Sequence, residues 1–209
     1  VICEIMKDDG TMARLPDLIE FAKIHNLNIA TIADLIEYRR KKEKLVEKSF
    51  ESEIEIDNFG KFNLHLFKSV IEYGEHLALV KGDISGGLPI LTRMHKLDVL
   101  SDILKLKNSN KKDILYKSLD LINKNGSGVL VILRSPDKQS LSKSLENLLT
   151  PKNAKNSSQP SNQLRDYGIG AQILLDLGVR KLKIITSGTS ITPVAMEGYD
   201  LEIVEEIRI

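Results

Sequence analysis

The spacing of hydrophobic residues changes from helical to alternating near residue 50. In the first part, Pro16, which is favoured in a first helical turn, lies among apolar residues with helical spacing: Leu15, Leu18, Ile19 and Ala22. Thr31 and Asp34 have the spacing of a capping box, ahead of Ile32, Leu35 and Ile36. An apolar segment, Val1 to Met6, comes before both. We therefore predict a short buried strand followed by two helices as far as about Arg40.

Later segments alternate between apolar and polar residues, which is typical of strands. Glu53 to Ile56 and Phe62 to Leu66 flank the turn sequence Asp57 to Gly60, which predicts a hairpin. In the second strand, Asn63 and His65 should lie on the face opposite Phe62, Leu64 and Leu66. Further strands are predicted at His76 to Val80, Leu88 to Met94, Gly128 to Leu133, Lys181 to Thr186 and Leu201 to Ile207.

Helices are predicted between these strands, at Leu97 to Leu106, Lys112 to Asn123, Leu141 to Leu149 and Leu164 to Leu177. Gly178 would end the last of them as a C-terminal cap. Mixed strands and helices in this order predict an α/β or α+β domain with a mixed sheet. The polar stretch Thr150 to Asn162 has a single apolar residue, so we expect it to be mobile.

The chain is expected to contain two parts, residues 1–48 and 49–209. The basic run Arg39 to Lys44 lies between them, and a solvated linker is favoured over a phosphate contact because acidic residues follow at once. The chain starts with Val1 and lacks a signal-peptide layout, so we expect that it begins inside a longer protein.

Composition excludes several classes of protein. The 209 residues carry 30 Lys and Arg against 29 Asp and Glu, which argues against a nucleic-acid surface or a polybasic membrane anchor. The longest apolar run, Val129 to Leu133, is far shorter than the roughly 18 to 20 residues of a membrane helix. The single cysteine, Cys3, cannot form an internal disulfide or supply a multi-thiolate zinc site. We expect a cytoplasmic protein without nucleic-acid or membrane partners.

Few residues suggest catalysis by themselves. The four histidines, His25, His65, His76 and His95, have no HxxxH or HxH spacing, which argues against a metal cage. His95 follows Arg93 at the end of a predicted strand, where a hydrogen-bonded structural histidine is favoured over a ligand. Glu4 lies in an apolar segment, so it is either a cleft carboxylate with a raised pKa or a strand-end carboxylate that faces solvent.

Residues Ile2 to Arg40 resemble the C-terminal end of 3,4-dihydroxy-2-butanone 4-phosphate synthase. The resemblance is carried by CE at Cys3-Glu4 and by DDGTMARLP at Asp8 to Pro16. It implies a Mg²⁺-dependent conversion of ribulose 5-phosphate to a four-carbon riboflavin precursor and formate, with Glu4 as the acid/base. The family's metal-binding glutamate and histidine lie upstream of this sequence, so magnesium is implied for the intact synthase half only.

The remainder is similar to GTP cyclohydrolase II, which is commonly fused behind the synthase. Three stretches carry this resemblance: EHLALVKGDI from Glu75, LRDYGIGAQILLDLGVRKLKIIT from Leu164 and EGYDLEIVE from Glu197. The resemblance implies the cyclohydrolase fold and a homodimer. In that family, three cysteines of RVHSECLTGD and RCDC bind the zinc ion that activates water.

The zinc motif has changed in this chain. The first motif reads RMHKLDVLSD, Arg93 to Asp102, with Asp98 at the position of the first cysteine. Counting forward places Ser109 and Lys111 at the other two cysteine positions. An ammonium group repels a divalent cation, so we predict that zinc is absent and expect no cofactor in this chain.

The nucleotide-binding motifs have changed as well. RQEGRGIGL has become RSPDKQSLS, Arg134 to Ser142, and no tyrosine lies between Lys117 and Asp166. TNNPRK has become TSGTSI, Thr186 to Ile191, and the aspartate expected two residues before Arg165 is a glutamine. By resemblance, Arg93 and Thr186 are remnants of nucleotide binding. Arg165 matches the family's proposed nucleophile, although a salt-bridge role is favoured.

These losses predict a riboflavin-pathway fusion whose cyclohydrolase domain is inactive and serves as an oligomerisation or regulatory module. Its expected partners are a second copy of itself and the synthase domain. One alternative is an enzyme that uses Asp98 and His95 with another divalent ion. Another alternative is a domain that senses a nucleotide or a flavin.

Overall fold

The computed structural model describes residues 3–30, 38, 43–70, 73–106, 113–149, 160–187 and 199–209, without the side chains of residues 147, 148 and 160–165. The chain forms two compact units, Val1–Lys42 and Glu43–Ile209. None of the helices in these ranges combines the length and apolar character that crossing a bilayer requires.

The first unit contains helix α1, Leu15–Ile24, as the apolar spacing predicts. Pro16 lies in its first turn. The Asp17 carboxylate accepts a hydrogen bond from the Arg14 amide at 2.9 Å, which satisfies a donor that the helix start leaves unbonded. The predicted second helix falls outside the described residues, apart from Tyr38.

The prediction of a buried strand at Val1 to Met6 is wrong for the residues that are described. Only Met6 pairs, in a single antiparallel bridge with Met12. The chain reverses between them, where the Lys7 amide donates to the Thr11 carbonyl at 2.8 Å and Gly10 has a φ of 80°. Both methionines are exposed. Glu4 is exposed as well.

The second unit is built on a seven-stranded sheet in the order β1-β2-β3-β5-β4-β6-β7. Neighbours from β1 to β5 in this order are antiparallel, and neighbours from β5 to β7 are parallel. The strands are β1 Val46–Ile56, β2 Gly60–Ser69, β3 Glu75–Lys81, β4 Ile90–Lys96, β5 Gly128–Leu133, β6 Lys181–Thr186 and β7 Glu202–Arg208. A mixed α/β fold is thus confirmed.

Helices cover both faces of this sheet. They are α2 Val99–Asp102, α3 Ile114–Asn125, α4 Ser140–Leu149 and α5 Pro160–Asp176. On one face, Ile169, Ile173 and Leu174 of α5 pack in one apolar cluster with Phe67, Val131 and Ile184. On the other face, Leu119 and Ile122 of α3 pack with Phe62, Leu130 and Ile185.

Coverage on two sides explains why His65 is buried. The hairpin forms as predicted, with Ile54 opposite Phe62 and Ile56 opposite Gly60. His65 lies on the face opposite Phe62, as the alternation predicts, but that face also carries the fully buried Phe67. Polar residues in this strand therefore do not mark a solvent-facing surface.

Two helix predictions need correction. The helix expected over Leu97 to Leu106 is one turn long, because the chain unwinds after Asp102 and Lys105 adopts a left-handed φ of 49°. Helix α5 begins at Pro160 instead of Leu164, so the last residues of the segment expected to be mobile are helical. The rest of that segment lies outside the described residues. Gly178, with a φ of 83°, ends α5 as predicted.

Candidate functional site

Polar residues gather at the edge of the sheet where the parallel strands β4, β5 and β6 have their carboxyl ends. In α/β sheets this edge is the usual place for ligands. Lys96 ends β4, Arg134 follows β5 and Thr186 ends β6. Strand β3 runs antiparallel to β5, so its first residues, Glu75 and His76, reach the same edge.

Arg93 lies on β4 with a partly buried side chain. Its Nη1 donates to the Ile185 carbonyl oxygen at 2.8 Å, and its Nη2 donates to Ser187 Oγ at 3.1 Å. The Nε atom is buried without a hydrogen-bond partner among the described residues. Burial lowers the pKa of the guanidinium, although Tyr167 and Asp102 oppose that shift. Arg93 is therefore a fixed cation that retains an unused donor.

Thr186 ends the neighbouring strand, and it is buried with 2% of its surface exposed. Its Oγ1 is another buried polar atom without a partner in the described part of the chain. Since a buried polar group normally has a hydrogen-bond partner, an unpaired hydroxyl at this edge is consistent with a ligand that would complete it. Of the candidate residues, the structure places Arg93 and Thr186 on adjacent parallel strands.

His95 and Asp102 form a buried pair beside Arg93. The distance from His95 Nε2 to Asp102 Oδ2 is 2.8 Å, and these residues are 3% and 2% exposed. The same carboxylate oxygen accepts the Asp98 amide at 2.8 Å. Asp98 Oδ1 accepts the Leu100 amide at 3.1 Å, which makes Asp98 the N-cap of α2. This is the hydrogen-bonded arrangement that the sequence favours for His95.

These contacts do not fit a zinc site of the kind that the cyclohydrolase resemblance implies. The Asp98 carboxylate caps a helix, and His95 Nε2 is directed at Asp102. A catalytic zinc ion takes three protein ligands, which in this family are thiolates, and leaves its fourth position to water. Within the described ranges, no group of three or more His, Cys, Asp or Glu side chains is placed to share a metal ion. Ser109 and Lys111 lie outside those ranges.

Lys96 and Asp166 connect the end of β4 to the first turns of α5. Lys96 Nζ lies 2.6 Å from Asp166 Oδ2, and the carboxylate side chain is 17% exposed. Tyr167 follows Asp166, and burial raises the pKa of its phenol. The motif of the cyclohydrolase family has a serine where this chain has Lys96, so this ion pair belongs to the departures from the family pattern.

His76 supports the loop that follows β5. Its Nδ1 accepts the Arg134 amide at 3.2 Å, and the Arg134 guanidinium lies 3.9 Å from the Glu75 carboxylate. Burial lowers the pKa of His76, because the imidazolium would be desolvated and could no longer accept at Nδ1. Arg134, which matches the first arginine of the family's RQEGRGIGL loop, is thus held through its backbone.

The sequence also predicted Glu4 and Arg165 as site residues. Glu4 is in the first unit, and the side chain of Arg165 is outside the described residues. Sequence reasoning missed the roles of Asp102 and Asp166. Asp102 ends the motif RMHKLDVLSD and Asp166 follows Arg165, so both lie in segments that resemble the family. Only the fold shows that they face His95 and Lys96.

Profiles of two families match the chain. The GTP cyclohydrolase II profile matches residues 47–208, and the 3,4-dihydroxy-2-butanone 4-phosphate synthase profile matches residues 1–38. Riboflavin biosynthesis protein RibBA of Aquifex aeolicus is 43% identical over 221 residues, covering 100% of this chain and 53% of the relative. The monofunctional riboflavin biosynthesis protein RIBA 2, chloroplastic, of Arabidopsis thaliana is 42% identical over 209 residues, covering 97% and 42%.

A solved structure is similar as well. The chain matches the crystal structure of RibBX, a two-domain 3,4-dihydroxy-2-butanone 4-phosphate synthase from A. baumannii, at 36% identity and a TM-score of 0.63. The match covers 99% of this chain and 53% of that chain. The present chain thus spans about half the length of most of the curated relatives it matches.

Proposed function

This chain belongs to the GTP cyclohydrolase II family over residues 47–208, and we propose that it serves riboflavin biosynthesis without hydrolysing GTP. Residues 43–209 then act as an oligomerisation or regulatory module for a synthase domain, to which residues 1–38 belong by their match. The module forms a homodimer in the cytoplasm.

The observation that carries this proposal is the engagement of Asp98. At the position where the family motif has a zinc-binding cysteine, the carboxylate accepts the Leu100 amide. Residues 47–208 contain no cysteine, since the only one in the chain is Cys3. A water molecule without a metal partner keeps a pKa far above neutrality, so it is a poor nucleophile at neutral pH.

Two relatives support the same proposal. The A. baumannii protein is a two-domain 3,4-dihydroxy-2-butanone 4-phosphate synthase. The Arabidopsis relative is called monofunctional. A domain that resembles GTP cyclohydrolase II can therefore occur in a protein that is named for one activity.

Metal analysis and a GTP turnover assay test the proposal on the purified chain. We expect less than about one tenth of an equivalent of zinc, and formate release from GTP no faster than in buffer. An active GTP cyclohydrolase II, assayed in parallel, establishes that both measurements respond. Stoichiometric zinc together with formate release would show that the domain is a working hydrolase.

Binding without chemistry is a second candidate function, and it rests on Arg93 and Thr186. Both present buried polar atoms that find no hydrogen-bond partner among the described residues, at the carboxyl edge of the sheet, and the cation there is suited to phosphate. The competing idea of a different divalent ion between Asp98 and His95 has less support, since both side chains are engaged within the protein.

Thermal-shift titration with GTP, pyrophosphate and flavin mononucleotide tests this second candidate. A ligand at one hundred times its Kd stabilises the folded state by about 2.7 kcal/mol, which raises the Tm of a chain of this size by about 5 to 10 °C. Arg93→Gln should abolish the shift, whereas Lys181→Gln, at the other end of β6, should preserve it. No shift with any of the three compounds would favour a purely structural module.

A further inference from the structure

We propose that Asp98 holds the connection between β4 and α2 in a brace that needs no metal ion. The brace consists of Asp98, Asp102 and His95. The inference deepens the proposed function, on which it rests, by assigning a structural task to the residue at the lost thiolate position. It makes Asp98 a positioning residue for the edge of the sheet that carries Arg93.

The brace is a closed set of hydrogen bonds around one turn of helix. Asp98 Oδ1 accepts the Leu100 amide at 3.1 Å, and the Asp98 carbonyl accepts the Asp102 amide at 2.8 Å. Asp102 Oδ2 accepts the Asp98 amide at 2.8 Å in return. Each aspartate thus satisfies backbone donors that so short a helix leaves unbonded at its start.

The same carboxylate ties this turn to the sheet. Asp102 Oδ2 lies 2.8 Å from His95 Nε2, and His95 is the penultimate residue of β4. Both side chains are almost completely buried, so the contact is shielded from water. The residue two positions before His95 on this strand is Arg93, and alternate residues of a strand project from the same face. Fixing His95 therefore fixes the strand end from which Arg93 extends.

The residue type at position 98 suits a cap better than a ligand. Aspartate and asparagine are among the preferred N-cap residues, because their short side chains place an oxygen over the first free amides. A zinc ion needs at least three protein ligands, and within the described ranges no group of three or more His, Cys, Asp or Glu side chains is placed to share one. The family motif has a zinc-binding cysteine at this position. Here a carboxylate can hold the same turn by hydrogen bonds instead.

Thermal unfolding of the purified chain tests the brace. Asp98→Ala removes the cap and should lower the Tm by about 2 to 4 °C, the range for losing about 1 kcal/mol in a chain of this length. Asp98→Asn keeps an accepting oxygen and should lie within about 1 °C of the parent. Asp120→Ala, which removes an exposed carboxylate paired with Lys124, is the matched control and should also change the Tm little.

Amide hydrogen exchange provides a local readout. In Asp98→Ala the Leu100 amide should exchange at least tenfold faster, while the parent and Asp98→Asn remain protected. A strong zinc chelator should leave the Tm and this protection unchanged in the parent.

The outcomes separate the two proposals. If Asp98→Ala leaves both the Tm and the Leu100 exchange rate at parental values, the brace is wrong, and the absence of GTP turnover is unaffected. If the chelator lowers the Tm and frees the Leu100 amide, a metal supports this turn and the brace is also wrong. Formate release from GTP with a chelator-insensitive Tm would overturn the proposed function and leave the brace intact.

Discussion

His76 combines burial with a role as a hydrogen-bond acceptor, and this makes the stability of the second unit depend on pH. Its Nδ1 accepts the Arg134 amide, so the neutral ring carries its proton on Nε2, which is buried without a partner in the described residues. Burial, reinforced by Arg134 and opposed by Asp166, lowers its pKa below the ordinary value near 6.5. A proton on this ring therefore favours the unfolded chain.

The sign of the pH effect follows from proton binding. As pH falls through about 6.5, the unfolded chain takes up a proton that the folded His76 does not, so stability decreases toward acid. We expect His76→Gln, which retains an acceptor, to reduce this slope by up to about 1.4 kcal/mol per pH unit just below pH 6.5. Urea unfolding at several pH values measures it.

The buried His65 keeps its own contribution in that variant, because burial lowers its pKa as well. His25→Gln, in the first unit, serves as the control and should leave the slope of the second unit unchanged. An unaltered slope in His76→Gln would mean that His76 does not titrate between the folded and unfolded states.

At the scale of elements, the glycine connection between β3 and β4 shows how closely two turns approach each other. Gly82 has a φ of 65°, and a Cβ built on it would overlap the Gly126 carbonyl oxygen at the end of α3. Gly86, in the same connection, has a φ of 87° and open space around it. Substituting Gly86 therefore tests backbone strain alone, whereas substituting Gly82 tests strain together with steric overlap.

We expect Gly86→Ala to cost about 1 to 2 kcal/mol of unfolding free energy, the penalty of a left-handed alanine. Gly82→Ala should cost about 1 to 3 kcal/mol more, because the backbone of the α3–β5 turn must move as well. Urea unfolding of the two variants measures the difference. Equal losses of unfolding free energy in the two variants would show that the α3–β5 turn can move without an energetic cost.

Elements with a strong local pattern could be predicted from the sequence, and those shaped by their neighbours could not. Alternation placed the hairpin correctly, the strand predicted at Gly128 to Leu133 forms, and Gly178 marked the end of α5. The apolar residues between Leu97 and Leu106 suggested a long helix. However, Ile103 and Leu104 are exposed and the helix ends after one turn. Nothing in local spacing indicates that Asp102 turns inward to meet His95.

The same limit applies to the candidate site. The comparison with the family motifs identified Arg93, Thr186 and Asp98, because each occupies a fixed position within a motif. The pairs His95–Asp102 and Lys96–Asp166 form through tertiary contact, over separations of 7 and 70 residues. The first pair depends on how the chain turns after β4, and the second depends on how α5 packs beside β4.

At the scale of the whole chain, the division near residue 43 has a direct test. Leu45 and Val46 are buried in the core of the second unit, and Leu45 also donates its amide to Gln172. The apolar clusters and hydrogen bonds described for this unit lie within residues 43–209. We therefore expect a fragment of residues 43–209 to fold cooperatively on its own.

A second fragment, residues 49–209, starts at the boundary predicted from the sequence and serves for comparison. It loses Leu45 and Val46 and should be less stable by about 3 to 6 kcal/mol, since burying each such side chain contributes about 1.5 to 3 kcal/mol. Circular dichroism during urea unfolding measures both fragments. Equal stability would place the boundary at the later residue.

Gln172 also makes the start of the second unit a mechanical anchor. Its Oε1 accepts the Leu45 amide at 2.6 Å, and its Nε2 donates to the Glu43 carbonyl at 2.7 Å. A pull on the chain at residue 43 is therefore borne by α5 as well as by the edge strand β1. Asp166 lies six residues earlier on the same helix, about 9 Å along its axis. Tension applied at the entry to this unit thus arrives within two helical turns of the ion pair with Lys96.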